Sequence, residues 1–405
     1  NKFFASSGVT FHWKSNFGCI LARKFLNCKY HYTWKKQMTG QKPVEEYIMP
    51  NTWSTQGFKA FSAGTCGNSG HNLYISRSGV LQRIHQYDFD KTGNLDLVFC
   101  NSQDHLERPP VGIYHNPLNK LEYRDLPAEG ARSGAVLDLN GDGCDDLVLG
   151  NRHNGINSFM NAIIYYGGPN GWGEHRHQHL PAPICTSVSS GDFNGDGRPD
   201  LAFLCNGKIR LFYQSELGFE PKRYNDLNIE GDQIGAGDLD GDGYDELLVR
   251  SEEGKISIFW STPDGIDPSI YTDLPIEEEE EETEEATDIL DRTSPEYIQD
   301  ARPLVQIICL NGQPHIFAAR IHNALLVPVK TNRKFGPPLT FNCTNPMAVA
   351  TGDINANGQI DLVFACRQPE GETECSWIYW GHKRKFFENR RTPLFTYRAC
   401  DVALG

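Results

Sequence analysis

The sequence predicts an all-β propeller of seven blades, each of four antiparallel strands, and three observations predict it. An oxygen-rich nine-residue segment recurs five times, an apolar run of strand type follows every copy, and Gly- and Pro-marked turns punctuate short apolar stretches. The composition agrees, since 405 residues carry 39 glycines, 23 prolines, 39% hydrophobic and 22% charged residues, which suits a turn-rich β chain better than a helical one.

The repeated segments are Asp88-Phe-Asp-Lys-Thr-Gly-Asn-Leu-Asp96, Asp138-Leu-Asn-Gly-Asp-Gly-Cys-Asp-Asp146 and Asp192-Phe-Asn-Gly-Asp-Gly-Arg-Pro-Asp200. Asp238-Leu-Asp-Gly-Asp-Gly-Tyr-Asp-Glu246 and Asp353-Ile-Asn-Ala-Asn-Gly-Gln-Ile-Asp361 complete the set. The first four lie about 50 residues apart, and the gap before the fifth is about two periods. A degenerate copy near Asp300, followed by the apolar run Leu304–Cys309, is expected to fill it.

Each unit reads as four strands. Small residues precede the segment, as in Ser187-Val-Ser-Ser-Gly191, Ile234-Gly-Ala-Gly237 and Ala348-Val-Ala-Thr-Gly352, and suit the crowded centre of a ring. The apolar runs after it, Leu97-Val-Phe99, Leu147-Val-Leu149, Leu201-Ala-Phe203, Leu247-Leu-Val249 and Leu362-Val-Phe364, suit a strand buried on both faces. An aromatic strand follows, as in Ile209–Tyr213, Ile256–Trp260 and Trp377–Trp380, and several units close alike, with Tyr123-Arg-Asp-Leu-Pro127 and Tyr271-Thr-Asp-Leu-Pro275. Four short strands per repeat is the blade signature. Cys400–Gly405 matches the inner strand of a seventh blade, which a strand around Leu73–Ser76 is expected to complete. The propeller is assigned to residues 60–405 with an acidic insertion at 277–288, read as a solvated loop or a contact for a basic partner or for the chain's own N-terminus. Residues 1–59, with eight Lys or Arg and no acid before Glu45, fit no repeat.

The segments carry the chemistry of a calcium loop. Oxygens at positions 1, 3 and 5, a main-chain carbonyl at 7 and an acid at 9 can wrap a hard cation that takes six to eight oxygen ligands. The candidate ligands are Asp88, Asp90, Thr92, Asn94 and Asp96; Asp138, Asn140, Asp142, Cys144 and Asp146; and Asp192, Asn194, Asp196, Arg198 and Asp200. The fourth and fifth sets are Asp238, Asp240, Asp242, Tyr244 and Glu246, and Asp353, Asn355, Asn357, Gln359 and Asp361. An EF-hand would need a Glu at position 12, where this chain has Phe99, Leu149, Phe203, Val249 and Phe364. About three to five Ca²⁺ are expected, with the weaker sites at residues 88 and 353, whose loops hold less charge; the alternative for any loop is a vacant turn held by internal hydrogen bonds.

A net charge of −14 argues against a duplex nucleic-acid partner and fits a cation-holding chain. No apolar run approaches the roughly 18 residues that span a bilayer. Twelve cysteines are consistent with an oxidising compartment, and Cys185 with Cys205, Cys366 with Cys375, and Cys19 with Cys28 are candidate local bridges; buried thiols are the alternative. Asn342-Cys343-Thr344 is an N-glycosylation sequon. No signal segment follows Asn1, which leaves a removed signal or a fragment, and a secreted or cell-surface protein is the expectation. His175, His177 and His179 would share one face of a strand, a splayed and incomplete metal set. Trp172, Trp260, Trp377 and Trp380 suit inter-blade packing or stacking on sugar rings. No G-x-S-x-G, H-E-x-x-H or P-loop occurs, so the chain reads as a binding module first, with an enzyme kept as an alternative.

On these loops the chain resembles the FG-GAP/VCBS repeat family, which includes the integrin α-subunit propeller. Phe335-Gly-Pro-Pro338 is similar to the motif that names the family, although most copies depart from it, and Tyr166–Trp172 is similar to a VCBS-type turn. The resemblance implies structural calcium in the loops and ligands bound on a propeller face or between blades. It leaves open an adhesion module for a protein or glycan, a lectin, the propeller of a polysaccharide lyase or phospholipase, and a subunit of an extracellular assembly.

Overall fold

The computed structural model describes residues 2–3, 11–12, 19–22, 80–88, 96–102, 110–115, 122–152, 157–169, 171–276, 302–367, 375–396 and 399–404. These form six antiparallel sheets of four strands, each sheet built from strands consecutive in sequence. Blade 1 is Val80–Tyr87, Asp96–Ser102, Val111–His115 and Glu122–Leu126; blade 2 is Ala131–Leu137, Asp146–Asn151, Ala162–Tyr165 and His177–Leu180. Blade 3 is Cys185–Gly191, Asp200–Cys205, Lys208–Phe212 and Asn225–Glu230; blade 4 is Gln233–Gly237, Glu246–Arg250, Ile256–Thr262 and Gly265–Asp273. Blade 5 is Gln306–Leu310, Gln313–Ala319, Asn323–Pro328 and Leu339–Asn342; blade 6 is Pro346–Gly352, Asp361–Cys366, Cys375–Tyr379 and Arg391–Phe395.

The count corrects the expectation of seven blades. Asp401–Leu404 does take the inner-strand place of a seventh, packing between the inner strands of blades 6 and 1. Its hydrogen-bonded partner is Cys19–Ala22, in parallel, so the described residues put a two-stranded sheet there and not a four-stranded blade. The strand expected around residues 73–76 and the acidic insertion at 277–288 lie outside the described residues.

Two sequence features explain the packing. Each second strand is buried on both faces because alternate side chains serve different neighbours. Leu147 and Leu149 join a core with Val98 and Ile113 of blade 1, whereas Val148 packs with Leu201 and Phe203 of blade 3. The inner strands, rich in small residues, are stitched by one recurring bond between neighbouring blades. A side chain on the inner strand accepts from a backbone N–H of the next blade: Ser133 Oγ from Val188 (3.2 Å) and Ser187 Oγ from Ile234 (3.4 Å). Gln306 Oε1 accepts from Val349 N–H (2.8 Å) and Asp401 Oδ2 from Ile84 N–H (3.3 Å), so the last strand joins the first blade by the same device.

Blade 5 departs from the expected degenerate loop. Gln306–Leu310, read in the sequence as a second strand, is the inner one, and it turns directly into Gln313–Ala319 through Asn311 and Gly312 at φ 54° and 80°. That Asn-Gly pair makes a tight hairpin where the other blades carry a nine-residue loop. Among the described residues no helix is long and apolar enough to cross a membrane.

Candidate metal loops on one rim

All the oxygen-rich segments connect an inner strand to a second strand, so they lie on one rim of the ring, together with the turns between third and outer strands. Loops 138, 192, 238 and 353 share one internal geometry. The position-1 carboxylate accepts backbone N–H groups from across the turn: Asp138 from Gly141 and Gly143 (both 2.8 Å), Asp192 from Asp196 (3.1 Å) and Gly197 (2.7 Å), Asp353 from Asn357 (2.9 Å) and Gly358 (2.8 Å). Position 3 accepts from position 5, as Asn140 does from Asp142 N–H (2.8 Å) and Asn194 from Asp196 N–H (3.0 Å). Position 5 accepts from position 7, as Asp142 does from Cys144 N–H (2.8 Å), Asp196 from Arg198 N–H (2.9 Å) and Asn357 from Gln359 N–H (2.8 Å). That bond holds the Asp142 carboxyl below its ordinary value.

The turn needs left-handed backbone at two positions. Position 6 is glycine throughout, with φ between 77° and 91° at Gly143, Gly197, Gly243 and Gly358. Position 4 needs it as well, at Gly141, Gly195 and Gly241, and loop 353 places Ala356 there at φ 57°. A side chain in that region costs about 1 kcal/mol. Of loop 88 only Asp88 and Asp96 are described; Asp90, Thr92 and Asn94 lie outside the described residues.

Position 9 does a different job in three loops from the one it does in the fourth. Asp146, Asp200 and Asp361 are fully buried, and each carboxylate clamps two backbone N–H groups. One comes from position 2 of its own loop, the other from the turn after the third strand: Leu139 (3.0 Å) and Gly167 (2.7 Å), Phe193 (3.1 Å) and Gln214 (2.8 Å), Ile354 (3.0 Å) and Gly381 (2.8 Å). Burial pushes Asp146 up to about 6 and Asp200 up to about 7, and raises Asp361. In loop 238 the residue is Glu246, whose Oε2 takes Leu239 N–H (2.7 Å) while Oε1 is buried with no hydrogen-bond partner. Burial pushes Glu246 up to about 8. One oxygen each from Asp238, Asp240 and Glu246 lies within 4.8 Å of the others. Three hard oxygens around one point, from a set whose Glu has an oxygen unsatisfied, fit a divalent cation, whose charge would offset the cost of burying that carboxylate.

Neighbouring loops are also tied to each other. Asp245, at position 8, accepts from Asp192 N–H (2.7 Å) and donates its own N–H to Asp192 O (2.9 Å), joining loop 238 to loop 192 across the seam between blades 3 and 4. Arg333, in the blade 5 turn after Asn323–Pro328, reaches back to loop 238, with Nε 2.6 Å from Asp240 Oδ2 and a terminal nitrogen 3.1 Å from Asp242 Oδ2. Sequence reasoning missed both. An acid at position 8 recurs at Asp145 and Asp245 and could have been noticed, but nothing in the local sequence marks Arg333.

The remaining candidates resolve into packing. Trp172 is buried and donates its indole N–H to Asp145 O (2.7 Å); Trp260 and Trp380 donate to Thr272 (2.9 Å) and Thr392 (2.8 Å) on the outer strands beside them. The guanidinium of Arg391 covers Trp377 at 3.9 Å. His177 and His179 stack edge to face at 5.0 Å, but His175 sits in the preceding turn, so the three do not share a strand face. Cys185 and Cys205 are direct cross-strand partners but are free thiols, as are Cys366 and Cys375, and Cys366 Sγ donates to Phe364 O (3.8 Å). Asn342 ends the outer strand of blade 5 with its side chain exposed. Phe335-Gly-Pro-Pro338 forms the blade 5 turn, closed by Gly336 N–H to Pro328 O at 2.9 Å.

Comparison with known proteins places the resemblance on these loops. The FG-GAP-like repeat family matches residues 138–203 and 192–249, the stretch that holds loops 138, 192 and 238. Human integrin alpha-7 is 32% identical over 143 residues, 29% of this chain and 12% of the integrin. The mouse protein is 32% identical over 145 residues, with the same shares, so the chain spans about an eighth of the length of these relatives. A crystal structure of BBS1N in complex with ARL6DN superposes with a TM-score of 0.44 at 12% identity, covering 76% of this chain and 80% of that one.

Proposed function

We propose that this chain, an integrin-like FG-GAP-repeat propeller, is a calcium-stabilised extracellular binding module that engages a protein ligand and performs no chemistry on it. The observation that carries the proposal is the row of prebuilt loops on one rim, ending in the unsatisfied buried oxygen of Glu246. Such loops rigidify a scaffold, and three to five bound Ca²⁺ would offset part of the −14 charge. Glycan recognition is the alternative ligand class, but the tryptophans that would stack on sugars are engaged in packing.

The opposite rim is the expected ligand face. In blades 1, 2 and 6 the second and third strands are separated in sequence by eight, ten and eight residues, 103–110, 152–161 and 367–374. In blades 3, 4 and 5 the same connections are only 206–207, 251–255 and 320–322. The long ones fall in adjacent sectors, with Asp401–Leu404 between blades 6 and 1, and loops on a rigid scaffold are where binding residues concentrate. Immobilised protein presented with extracellular-matrix proteins should show saturable binding in calcium, lost in EDTA and lost when residues 152–161 are replaced by a short turn. Binding indifferent to both changes, or turnover of any ligand, would overturn this reading.

An extracellular location carries its own expected outcome. Peptide mapping of the secreted protein without reduction should recover Cys185 linked to Cys205, because the two face each other directly across antiparallel strands. Ready alkylation of both thiols after denaturation would count against an oxidising compartment.

A further inference from the structure

We propose that Arg333 is a tethered cation that competes with a divalent ion for loop 238, so that ion binding there is coupled to the seam between blades 4 and 5. The inference rests on the calcium reading above and goes beyond it, because it reverses the ranking that acid count alone would give the loops. Loop 238 holds the most carboxylates of the four described, with Asp238, Asp240, Asp242 and Glu246 at positions 1, 3, 5 and 9. On charge alone it should bind most tightly.

The geometry says otherwise. Asp240 and Asp242 each give one oxygen to the turn, to Asp242 N–H (3.2 Å) and Tyr244 N–H (3.0 Å). Each gives the other to Arg333, at 2.6 and 3.1 Å. The guanidinium also lies over the Trp260 ring, 4.7 Å from its centroid. By contrast, Arg176 stands 3.6 Å from Asp142 in loop 138, and Arg198 belongs to loop 192 itself. Arg333 alone of these three arrives from another blade and grips two positions. An ion held by Asp238, Asp240 and Glu246 would share Asp240 with the guanidinium, and two cations on one carboxylate repel. The arginine side chain is 40% exposed, so it has solvent to retreat into. Meanwhile Oε1 of buried Glu246 has no hydrogen-bond partner, the arginine included, and an ion entering the loop would supply one. The two cations therefore exchange: guanidinium latching blade 5 to loop 238 when divalent ions are scarce, ion in the loop and latch released when they are abundant.

Calorimetric titration with calcium tests this on the whole chain. Asp238→Asn should remove one binding event and so identify loop 238. Arg333→Gln should tighten that event about tenfold, the equivalent of removing one charge-assisted pair from the competition. The same variant should melt lower than wild type in EDTA, where the latch is lost, and gain more from calcium. If Arg333→Gln leaves the loop 238 event unchanged or weakens it while the other loops still bind, the competition is wrong and the calcium reading survives. If wild type and variant both take up no calcium, both fall.

Discussion

Chelation with EDTA should lower the melting temperature by roughly 5–8 °C. If free calcium exceeds Kd tenfold, each occupied site contributes about 1.4 kcal/mol, so three loops contribute about 4 kcal/mol. An ordered region of about 300 residues loses roughly 0.6 kcal/mol of stability per kelvin near its midpoint, which converts the sum to the stated shift. The apo loops resist collapse because their carboxylates are already wrapped around backbone N–H groups, as Asp138 is around Gly141 and Gly143. The blades should therefore survive chelation, with the shift appearing in the melting temperature and not as loss of β structure at room temperature. Differential scanning calorimetry in calcium and in EDTA makes the comparison; coincident melts would remove calcium from the stability of this fold.

Blade periodicity was legible in the sequence because three separate constraints repeat together. The loop needs oxygens at fixed steps, the second strand is buried on both faces, and the ring centre admits only small side chains. Leu147-Val-Leu149 was readable as a doubly buried strand, and its side chains do divide between two blades. What was not legible is whatever rests on contacts between repeats. Blade 5 replaced its loop by Asn311-Gly312, so the register that placed a degenerate copy near residue 300 shifted the apolar run from an inner to a second strand. The seventh sector depends on pairing between residues some 380 apart, which no local pattern encodes. Arg333 is of the same kind, since its partners sit about 90 residues away on the neighbouring blade. Within a loop, the sequence marks position 9 as one more acid. The structure shows that Asp and Glu differ there: the shorter side chain spends both oxygens on backbone, and the longer one leaves an oxygen over.

That distinction makes Asp200→Ala the substitution with the largest expected effect, and its effect should not depend on calcium. Asp200 is fully buried, and its two oxygens are the partners of Phe193 N–H at 3.1 Å and Gln214 N–H at 2.8 Å. Alanine strands both donors where water does not reach, at about 1–3 kcal/mol each, which corresponds to a fall of roughly 3–10 °C in melting temperature. The damage spreads across a seam, because Gln214 is held in place to donate its side-chain amide to Leu139 O of blade 2 at 2.8 Å. Asp142→Asn is the informative contrast. Its Oδ1 can still accept from Cys144 N–H, and what Oδ2 gives up, the Asn140 amide at 3.2 Å and the Arg176 ion pair at 3.6 Å, lies at the exposed surface where such pairs contribute little. That variant should melt like wild type in EDTA and fall short of it by about 2 °C in calcium, one site's share of the linkage. Asp200→Ala should fall short in both. Equal melts for Asp200→Ala and wild type in EDTA would mean that the buried carboxylate is a metal ligand only, and that the N–H groups it clamps find other partners without it.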